Sequence, residues 1–223
     1  VQCLLDRGYT VNVALPDDKR NVQLSSIGCI IHNIALSRFG TNPVADFKVM
    51  LEIRGLINKI NPCVVLTYTA KPNIYGGMAA RLTGTPYISN VTGLGANFQS
   101  KNLIASIMLI LQKIAYKKAL RVFFQNEDNL RVLKEANVVK DNYAILPGSG
   151  VNIKTNVFEP MVGNDKLKFI TIARIRKDKG YDELFDVIRR LKSEGIDNEF
   201  HIVGWYGEDS YTVSYTHLTL PTT

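Results

Sequence analysis

The sequence predicts an α/β chain with a doubly wound parallel sheet in each of two halves, and three observations carry that prediction. Short β-branched, apolar runs alternate with segments of helical apolar spacing along most of the 223 residues. The turn-rich segment Pro147-Gly-Ser-Gly-Val-Asn152 interrupts this alternation, which then resumes. With 46% apolar and 21% charged residues, the composition fits a packed core and excludes a disordered or collagen-like chain. The expected domains are residues 1–150 and the start of a second at 151–211. The remainder, 212–223, lies in a Thr-rich stretch (Ser210–Thr223) without Lys, Arg, Asp or Glu and reads as a non-native tail. Val1–Gly8 reads as the last turns of a helix closed by Gly8. Both ends are therefore expected to be truncations, with the first strand missing and the second domain incomplete.

Each element follows from local pattern. Tyr9–Leu15 reads as a strand. Asn42–Asn61 reads as a helix with Phe47, Met50, Leu51, Leu56, Ile57 and Ile60 on its apolar side, stopped by Asn61-Pro62. Cys63–Thr69 reads as a buried strand. Asn73–Thr83 is a helix whose Gly76, Gly77, Ala79 and Ala80 permit close packing on a sheet. Pro86–Val91 is a strand, and Lys101–Leu120 a helix with Ser100 as N-cap and Ile104, Ile107, Met108, Leu111, Ile114 and Ala115 at helical spacing. Then come strand Arg121–Gln125, helix Asp128–Glu135 and strand Tyr143–Leu146. Beyond the break lie strand Leu167–Arg174, helix Gly180–Ser193 and strand Glu199–Val203. His32 and His201 read as structural. The longest largely apolar run, Leu103–Leu111, falls short of the roughly 18–20 residues that a spanning helix needs. Three widely spaced cysteines, Cys3, Cys29 and Cys63, make neither a disulfide framework nor a zinc ribbon and fit a reducing compartment.

Charge is unevenly placed. The chain carries 27 Lys+Arg against 20 Asp+Glu. Residues 1–150 hold 17 basic and 9 acidic side chains, whereas 151–223 hold 10 and 11. Gln99–Gln125 is the densest basic stretch, with Lys101, Lys113, Lys117, Lys118 and Arg121 and no acidic residue. Two readings fit: a partly buried helix with a solvated basic end, or a basic face (Lys113, Lys117, Lys118, Arg121) that meets anionic lipid headgroups or an anionic lipid-linked substrate. Nucleic acid is not expected, because no aromatic residues interleave with the charge.

Phe169–Gly180 is the most informative segment. A strand ends at Arg174, a basic loop follows, and Gly180 opens a helix. Ligands of open α/β sheets sit beyond the carboxyl ends of strands, so Arg174 and Lys179 stand where a pyrophosphate would bind, aided by the helix N-terminus. A plain solvated charged loop is the competing reading. Gly93 and Gly95 end another strand and admit either a ligand or a simple tight turn. Lys71, Asn126 and Glu127 also follow strands. Gly148, Ser149 and Gly150 serve either as amide donors to a phosphate or as a hinge.

These residues carry a family resemblance. Ala173-Arg174-(x)4-Lys179-Gly180 before an amphipathic helix resembles the donor-site signature of retaining family 4 glycosyltransferases of the GT-B fold. Ile145–Asn152 resembles the family's crossing into its C-terminal domain. Thr69–Gly77, Asn90–Gly95 and Phe123–Glu127 resemble a bacterial subgroup that builds capsule and O-antigen polysaccharides. The resemblance implies two Rossmann-like domains and transfer of a sugar, with retention, from a nucleotide diphosphate donor, in particular a UDP-sugar. The implied acceptor is a glycan on a polyprenyl diphosphate, at the inner face of the plasma membrane. Arg174 and Lys179 would be catalytic, neutralising the departing diphosphate without a metal or other cofactor. Gly148, Ser149, Gly150 and Gly180 would join them around the donor. Lys71, Thr92, Gly93, Gly95, Asn126 and Glu127 would face the acceptor or sugar. Many family members carry a His where Thr92 stands, so a His-based role does not carry over. The family's Glu-x7-Glu motif is expected downstream of this chain, which would leave these 223 residues inactive alone. A nucleotide-sugar 2-epimerase of GT-B architecture and a catalytically dead membrane-surface module are the rival readings.

Overall fold

A computed structural model describes residues 1–19, 21–37, 42–94, 103–160, 167–196 and 198–204. The chain divides into two compact units, Val1–Val151 and Asn152–Thr223. No described helix is long and apolar enough to cross a membrane.

The first unit opens with a short helix α1 (Gln2–Leu5), which Gly8 closes at φ +81°. Strands β1 (Asn12–Leu15) and β2 (Ile30–Asn33) pair in parallel, linked by α2 (Asn21–Ser26). Helix α2 and strand β2 are not anticipated above, because neither is long enough to show a period. Helix α3 (Pro43–Ile60) has the expected ends. Asn42 accepts from the amides of Val44 and Ala45 at 3.2 Å, Pro43 occupies the first turn, and Asn61 closes the helix in the left-handed region. Its buried face differs from expectation. Val49, Met50, Ile53 and Ile57 face the core together with Asp46, while Phe47 and Leu51 are 56% and 43% exposed. Apolar residues occur on more than one side of this helix, so spacing finds Met50 and Ile57 correctly but also selects Phe47 and Leu51, which lie outside the core.

The heart of the unit is a four-stranded parallel sheet in the order β3 (Val65–Tyr68), β4 (Tyr87–Val91), β5 (Arg121–Phe124) and β6 (Tyr143–Ile145). Strand β3 is not buried throughout: Thr67 points inward, whereas Leu66 and Tyr68 are exposed. Helices α4 (Ala70–Thr83), α5 (Leu103–Tyr116) and α6 (Glu127–Glu135) fill the connections. Helix α4 begins three residues earlier than expected, since Pro72 in its first turn lacks an amide that would have no helical partner anyway.

Helix α4 packs against α3, α5 and the sheet at once. Its small residues permit this. A Cβ on Gly76 would lie 3.0 Å from Thr67 Cγ2, and one on Gly77 would lie 3.4 Å from the Tyr87 ring and 3.5 Å from Ala115. Ala79 and Ala80 are fully buried in the same layer. Polar groups that reach this interior are mostly paired: Thr67 Oγ1 donates to Ser89 Oγ at 3.0 Å, Tyr87 OH to the Ala115 carbonyl at 2.5 Å, and Asn73 Nδ2 to the Asn90 carbonyl at 2.9 Å. Asn142 caps the far end of α5, donating to the carbonyls of Tyr116 and Ala119.

Helix α5 follows its apolar spacing only in part: Ala115 is buried and Met108 and Leu111 are half-buried as expected, Leu109 packs against the core, and the side chain of Ile104 lies outside the described residues. Ala105, Gln112, Ala115 and Tyr116 are buried, while Ile107, Ile110 and Ile114 face outward. Ser100 and Lys101 lie outside the described residues.

In the second unit, β7 (Lys168–Ile172) and β8 (Glu199–Val203) pair in parallel, and α7 (Tyr181–Ser193) covers one face. Ile175, Tyr181, Phe185 and Ile188 form its small core, with Phe200 and Ile202 against it. Phe169 stacks on Phe200 at 5.0 Å.

The packing at α4 makes a direct prediction. Gly76→Leu forces atoms into contact with β3 and should cost about 1–3 kcal/mol. Urea unfolding checks this as a lowered midpoint with an unchanged slope.

Candidate functional site

The C-terminal edge of β7 assembles the expected donor residues of the second unit. Strand β7 hands over to Ala173, whose amide donates to the Val203 carbonyl at 3.1 Å and whose carbonyl accepts from Tyr181 OH at 2.9 Å. These two bonds hold the strand end between β8 and the first turn of α7. Arg174 follows, exposed and with no ionic partner among the described residues. A 3-10 turn over Lys177–Lys179 then leads to Gly180, which caps α7 at φ +73°, a conformation that disfavours any side chain. Lys179 is exposed, with its ammonium 3.9 Å from the Asp178 carboxylate. Asp178 bonds Arg176 more closely, at 2.8 Å, and this bond holds its carboxyl below the usual range. Arg176 thus takes up most of the neighbouring acid, and Arg174 and Lys179 keep their charge directed at solvent. One feature opposes an anion: Asp182 and Glu183 stand in the first turn of α7.

Gly204, absent from the sequence-based site, belongs to this edge. A Cβ there would fall 2.0 Å from the Ala173 carbonyl oxygen. Any side chain would push the end of β8 away from the strand that carries Arg174. The pairing of β7 with β8 creates this requirement, and no local pattern around Gly204 announces it.

In the first unit every strand of the main sheet runs the same way, so the segments after β3, β4, β5 and β6 share one edge. Thr92 is exposed there, and Gly93 is half-buried. Gly93 has an ordinary φ, and a Cβ on it would meet nothing within 4 Å, so neither backbone angle nor crowding requires glycine. Gly95 lies outside the described residues. Asn126 caps α6, its Oδ1 accepting from the Asn129 amide at 2.8 Å, and Glu127 begins that helix exposed. Gly148 and Gly150 adopt φ of +75° and +74°, and between them Ser149 Oγ accepts from Gln125 Nε2 at 2.9 Å. That bond ties the loop after β6 to the end of β5. An open groove of about 630 Å³ runs beside α6, lined by Glu127, Leu130, Arg131, Lys134, Tyr143 and Ile145 among others. It lies along the helix rather than across the sheet edge.

Lys71 is not a free cation at the crevice. Its ammonium bonds Asp46 Oδ1 of α3 at 2.8 Å, both side chains being largely buried, and Tyr75 OH donates to Asp46 Oδ2 at 3.1 Å. Burial first, then the charge and hydrogen bond of Asp46, push the Tyr75 phenol up to about 12. Asp46 thus joins the first turns of α3 and α4 beside Thr69. Thr69 itself sits at φ 70° and ψ 169°, a region costly for a side chain, at the junction of β3 and α4. Asp46 lies 25 residues before Lys71, so local spacing could not reveal the pair.

The parallel α/β architecture of the two units is in keeping with a Rossmann-like, partial GT-B glycosyltransferase fold. The chain belongs to the glycosyl transferase 4-like family, whose model matches residues 1–126. It is 24% identical to an N,N'-diacetylbacillosaminyl-diphospho-undecaprenol alpha-1,3-N-acetylgalactosaminyltransferase of Campylobacter jejuni, over 98% of this chain and 62% of that protein. It is likewise 24% identical to a capsular polysaccharide biosynthesis glycosyltransferase of Staphylococcus aureus, over 92% of this chain and 56% of that protein. Among solved structures it resembles the sucrose-phosphate synthase of Thermosynechococcus elongatus at a TM-score of 0.72 and 14% identity, covering 94% of this chain and 56% of the other. The chain therefore spans about 60% of the length of these curated relatives.

The Asp46 cluster yields a pH prediction. Tyr75 holds its proton in the folded chain to about pH 12, against 10.0 for an ordinary tyrosine. The unfolded chain releases that proton first, so the stability it supplies is complete below pH 10 and is lost as pH rises towards 12. Asp46→Asn should bring one tyrosine's ionisation back towards the ordinary value in a phenolate absorbance titration. Tyr75→Phe should remove that same component.

Proposed function

We propose that the chain forms the acceptor-side unit and the first part of the donor-side unit of a retaining glycosyltransferase. The enzyme would move a sugar from a UDP-sugar to a glycan on a polyprenyl diphosphate during surface polysaccharide synthesis, on the inner face of the plasma membrane. The observation that carries the reading is the placement of Arg174 and Lys179, two exposed cations between the end of β7 and the start of α7.

In such a transfer the bond from the anomeric carbon to the diphosphate breaks, and a bond to the acceptor hydroxyl forms on the same face. The diphosphate leaves with added negative charge. Arg174 offers a planar fork of donors to its oxygens, and Lys179 offers a mobile ammonium. Together they supply the stabilisation that a divalent metal provides elsewhere, so the reaction is proposed to need no metal. Arg176 assists indirectly by engaging Asp178, which would otherwise draw Lys179 away from the ligand. Gly204 keeps backbone close to backbone at this edge, and Gly180 supplies the left-handed turn that opens α7. On the acceptor side, Thr92, Gly93, Gly95, Asn126 and Glu127 are proposed to face the incoming glycan, with Asn126 doing so from its capping position. Lys71 acts by holding the start of α4 through Asp46. Gly148, Ser149 and Gly150 are proposed to present amides to the donor.

Saturation-transfer NMR with UDP on the 223-residue chain tests the donor assignment. The wild-type chain should contact UDP, and Arg174→Ala or Lys179→Ala should each weaken binding about 10-fold to 100-fold, the value of a charge-assisted hydrogen bond. Both side chains are exposed, so neither change threatens folding. Undiminished contact in both variants would overturn the assignment.

A further inference from the structure

One polar residue interrupts the small-residue side of α4. Asn73, Gly76, Gly77 and Ala80 recur at helical spacing and are all buried, Asn73 being 1% exposed. Its side chain is engaged at one end: Nδ2 donates to the Asn90 carbonyl at 2.9 Å, across 17 residues of sequence. Its backbone amide donates to the Thr69 carbonyl at 3.0 Å, at the start of the helix. Asn90 stands opposite Tyr68 in the last pairing of β3 with β4. Beyond that point β3 has given way to α4, while β4 runs on through Val91, still paired with β5, to Thr92 and Gly93. The other end of the amide is enclosed as well. Asn73 Oδ1, Gln112 Oε1 and Tyr116 OH are buried and make no hydrogen bond with a described residue. Gln112 and Tyr116 lie one turn apart on the buried side of α5. Burial pushes the Tyr116 phenol up, with a smaller opposing effect from the Asn73 amide beside it.

Resting on the acceptor-side reading above, we propose that Asn73 is a positioning residue: it fastens the exit of β4 and so sets Thr92 and Gly93 for the incoming glycan. A buried amide side chain is costly unless its bonds are made, and packing alone at this position is served by Gly or Ala, as it is one and two turns further along the same helix. Asn73 instead places a donor at the carbonyl where β4 loses its partner on the β3 side. The anchor is held from both neighbouring helices. Lys71 in the same turn is bonded to the buried Asp46 of α3. From α5, Tyr116 brings a hydroxyl proton next to Asn73 Oδ1, an acceptor. Turned over, the amide would set that oxygen against the Asn90 carbonyl, so its orientation is fixed by chemistry as well as by space. Crowding does not do this work at the strand exit itself, since a Cβ on Gly93 would meet nothing within 4 Å.

The test is carbon–proton NMR of the 223-residue chain carrying Asn73→Asp, read at the Thr92 methyl and the Gly93 α-carbon at about pH 5 and about pH 9. A carboxylate has no proton to give the Asn90 carbonyl, whereas its neutral form has one, and burial favours the neutral form. The two signals should therefore be displaced from their wild-type positions at the higher pH and return at the lower. The wild type titrated in parallel supplies the changes due to other groups, among them Asp46 on α3, Lys71 and Tyr75 on α4 and Tyr116 on α5. Asn73→Leu is close in volume, buries no charge and removes the donor at every pH, so it should displace both signals throughout. It keeps the test open where the carboxylate weakens folding. Thr67→Val breaks the nearby bond to Ser89 and is the packing control, which should leave Thr92 and Gly93 in place. Saturation transfer with N-acetylglucosamine joined through a diphosphate to a farnesyl chain reads the consequence. Asn73→Leu should weaken that contact about 10-fold and leave UDP contact unchanged. Unmoved Thr92 and Gly93 signals in both Asn73 variants would overturn the proposal. Displacement that acid does not reverse in Asn73→Asp, or that spreads equally to β5 and β6, assigns Asn73 to general packing and overturns it too. Probe contact that is absent from the wild type, or unchanged in Asn73→Leu, removes the acceptor reading and leaves the fastening of β4 in place.

Discussion

The first unit depends on how closely α4 lies against the sheet. Gly76 touches β3, Gly77 meets Tyr87 and Ala115, and Ala79 and Ala80 complete a surface without bulk. This closeness lets one helix serve three neighbours, α3, α5 and the sheet. It also brings Asn73 within reach of the Asn90 carbonyl near the end of β4, and sets the first turn of α4 beside that of α3. There Asp46 binds both Lys71 and Tyr75. A buried ion pair is costly to desolvate, so its worth lies less in net stability than in what breaking it would do, about 3–5 kcal/mol of loss. The pair and the small-residue packing together hold the β3–α4 junction, including the strained Thr69, in one arrangement.

Parallel pairing carries that arrangement to the strand-end edge proposed to meet the acceptor. Because β3 to β6 run the same way, the strand ends bearing Thr92, Asn126, Glu127 and Gly148–Gly150 share one edge of the first unit. The second unit repeats the logic on a smaller scale, with Gly204 and Tyr181 securing the Ala173 backbone from which Arg174 projects. On the proposed reading, its site relies on backbone closeness and on the exposed charges of Arg174 and Lys179. That suits a transfer in which the main demand is to stabilise a departing diphosphate.

Features marked by local chemistry were legible in the sequence. Asn42-Pro43 and Asn61-Pro62 bracket α3 through capping and proline geometry, and Gly180 marks the start of α7. The Arg174–Lys179 spacing pointed to the same loop that the fold places at a strand end. Features that depend on distant partners were hidden. Lys71 reads as a free cation until Asp46 is brought beside it, and Gly204 reads as an ordinary glycine until β7 is paired with β8. Helix faces were misread where apolar residues exceed what the core holds, as at Phe47 and Leu51 in α3 and at Ile107 and Ile114 in α5. Gln112 and Tyr116, both buried, show why polarity was a poor guide on α5. The short α2 and β2 offered too few residues for any period to emerge.

On the proposed function, Arg174 and Lys179 recognise a diphosphate rather than a nucleoside. Calorimetric titration of the 223-residue chain with uridine, UMP and UDP at two salt concentrations tests this most directly. If the two cations bind the diphosphate, UDP should bind at least about 10-fold more tightly than UMP, with uridine weaker still. The advantage of UDP should also shrink as salt rises. Equal affinity for all three ligands, or a preference for UDP that salt does not alter, would rule out diphosphate recognition by these two cations.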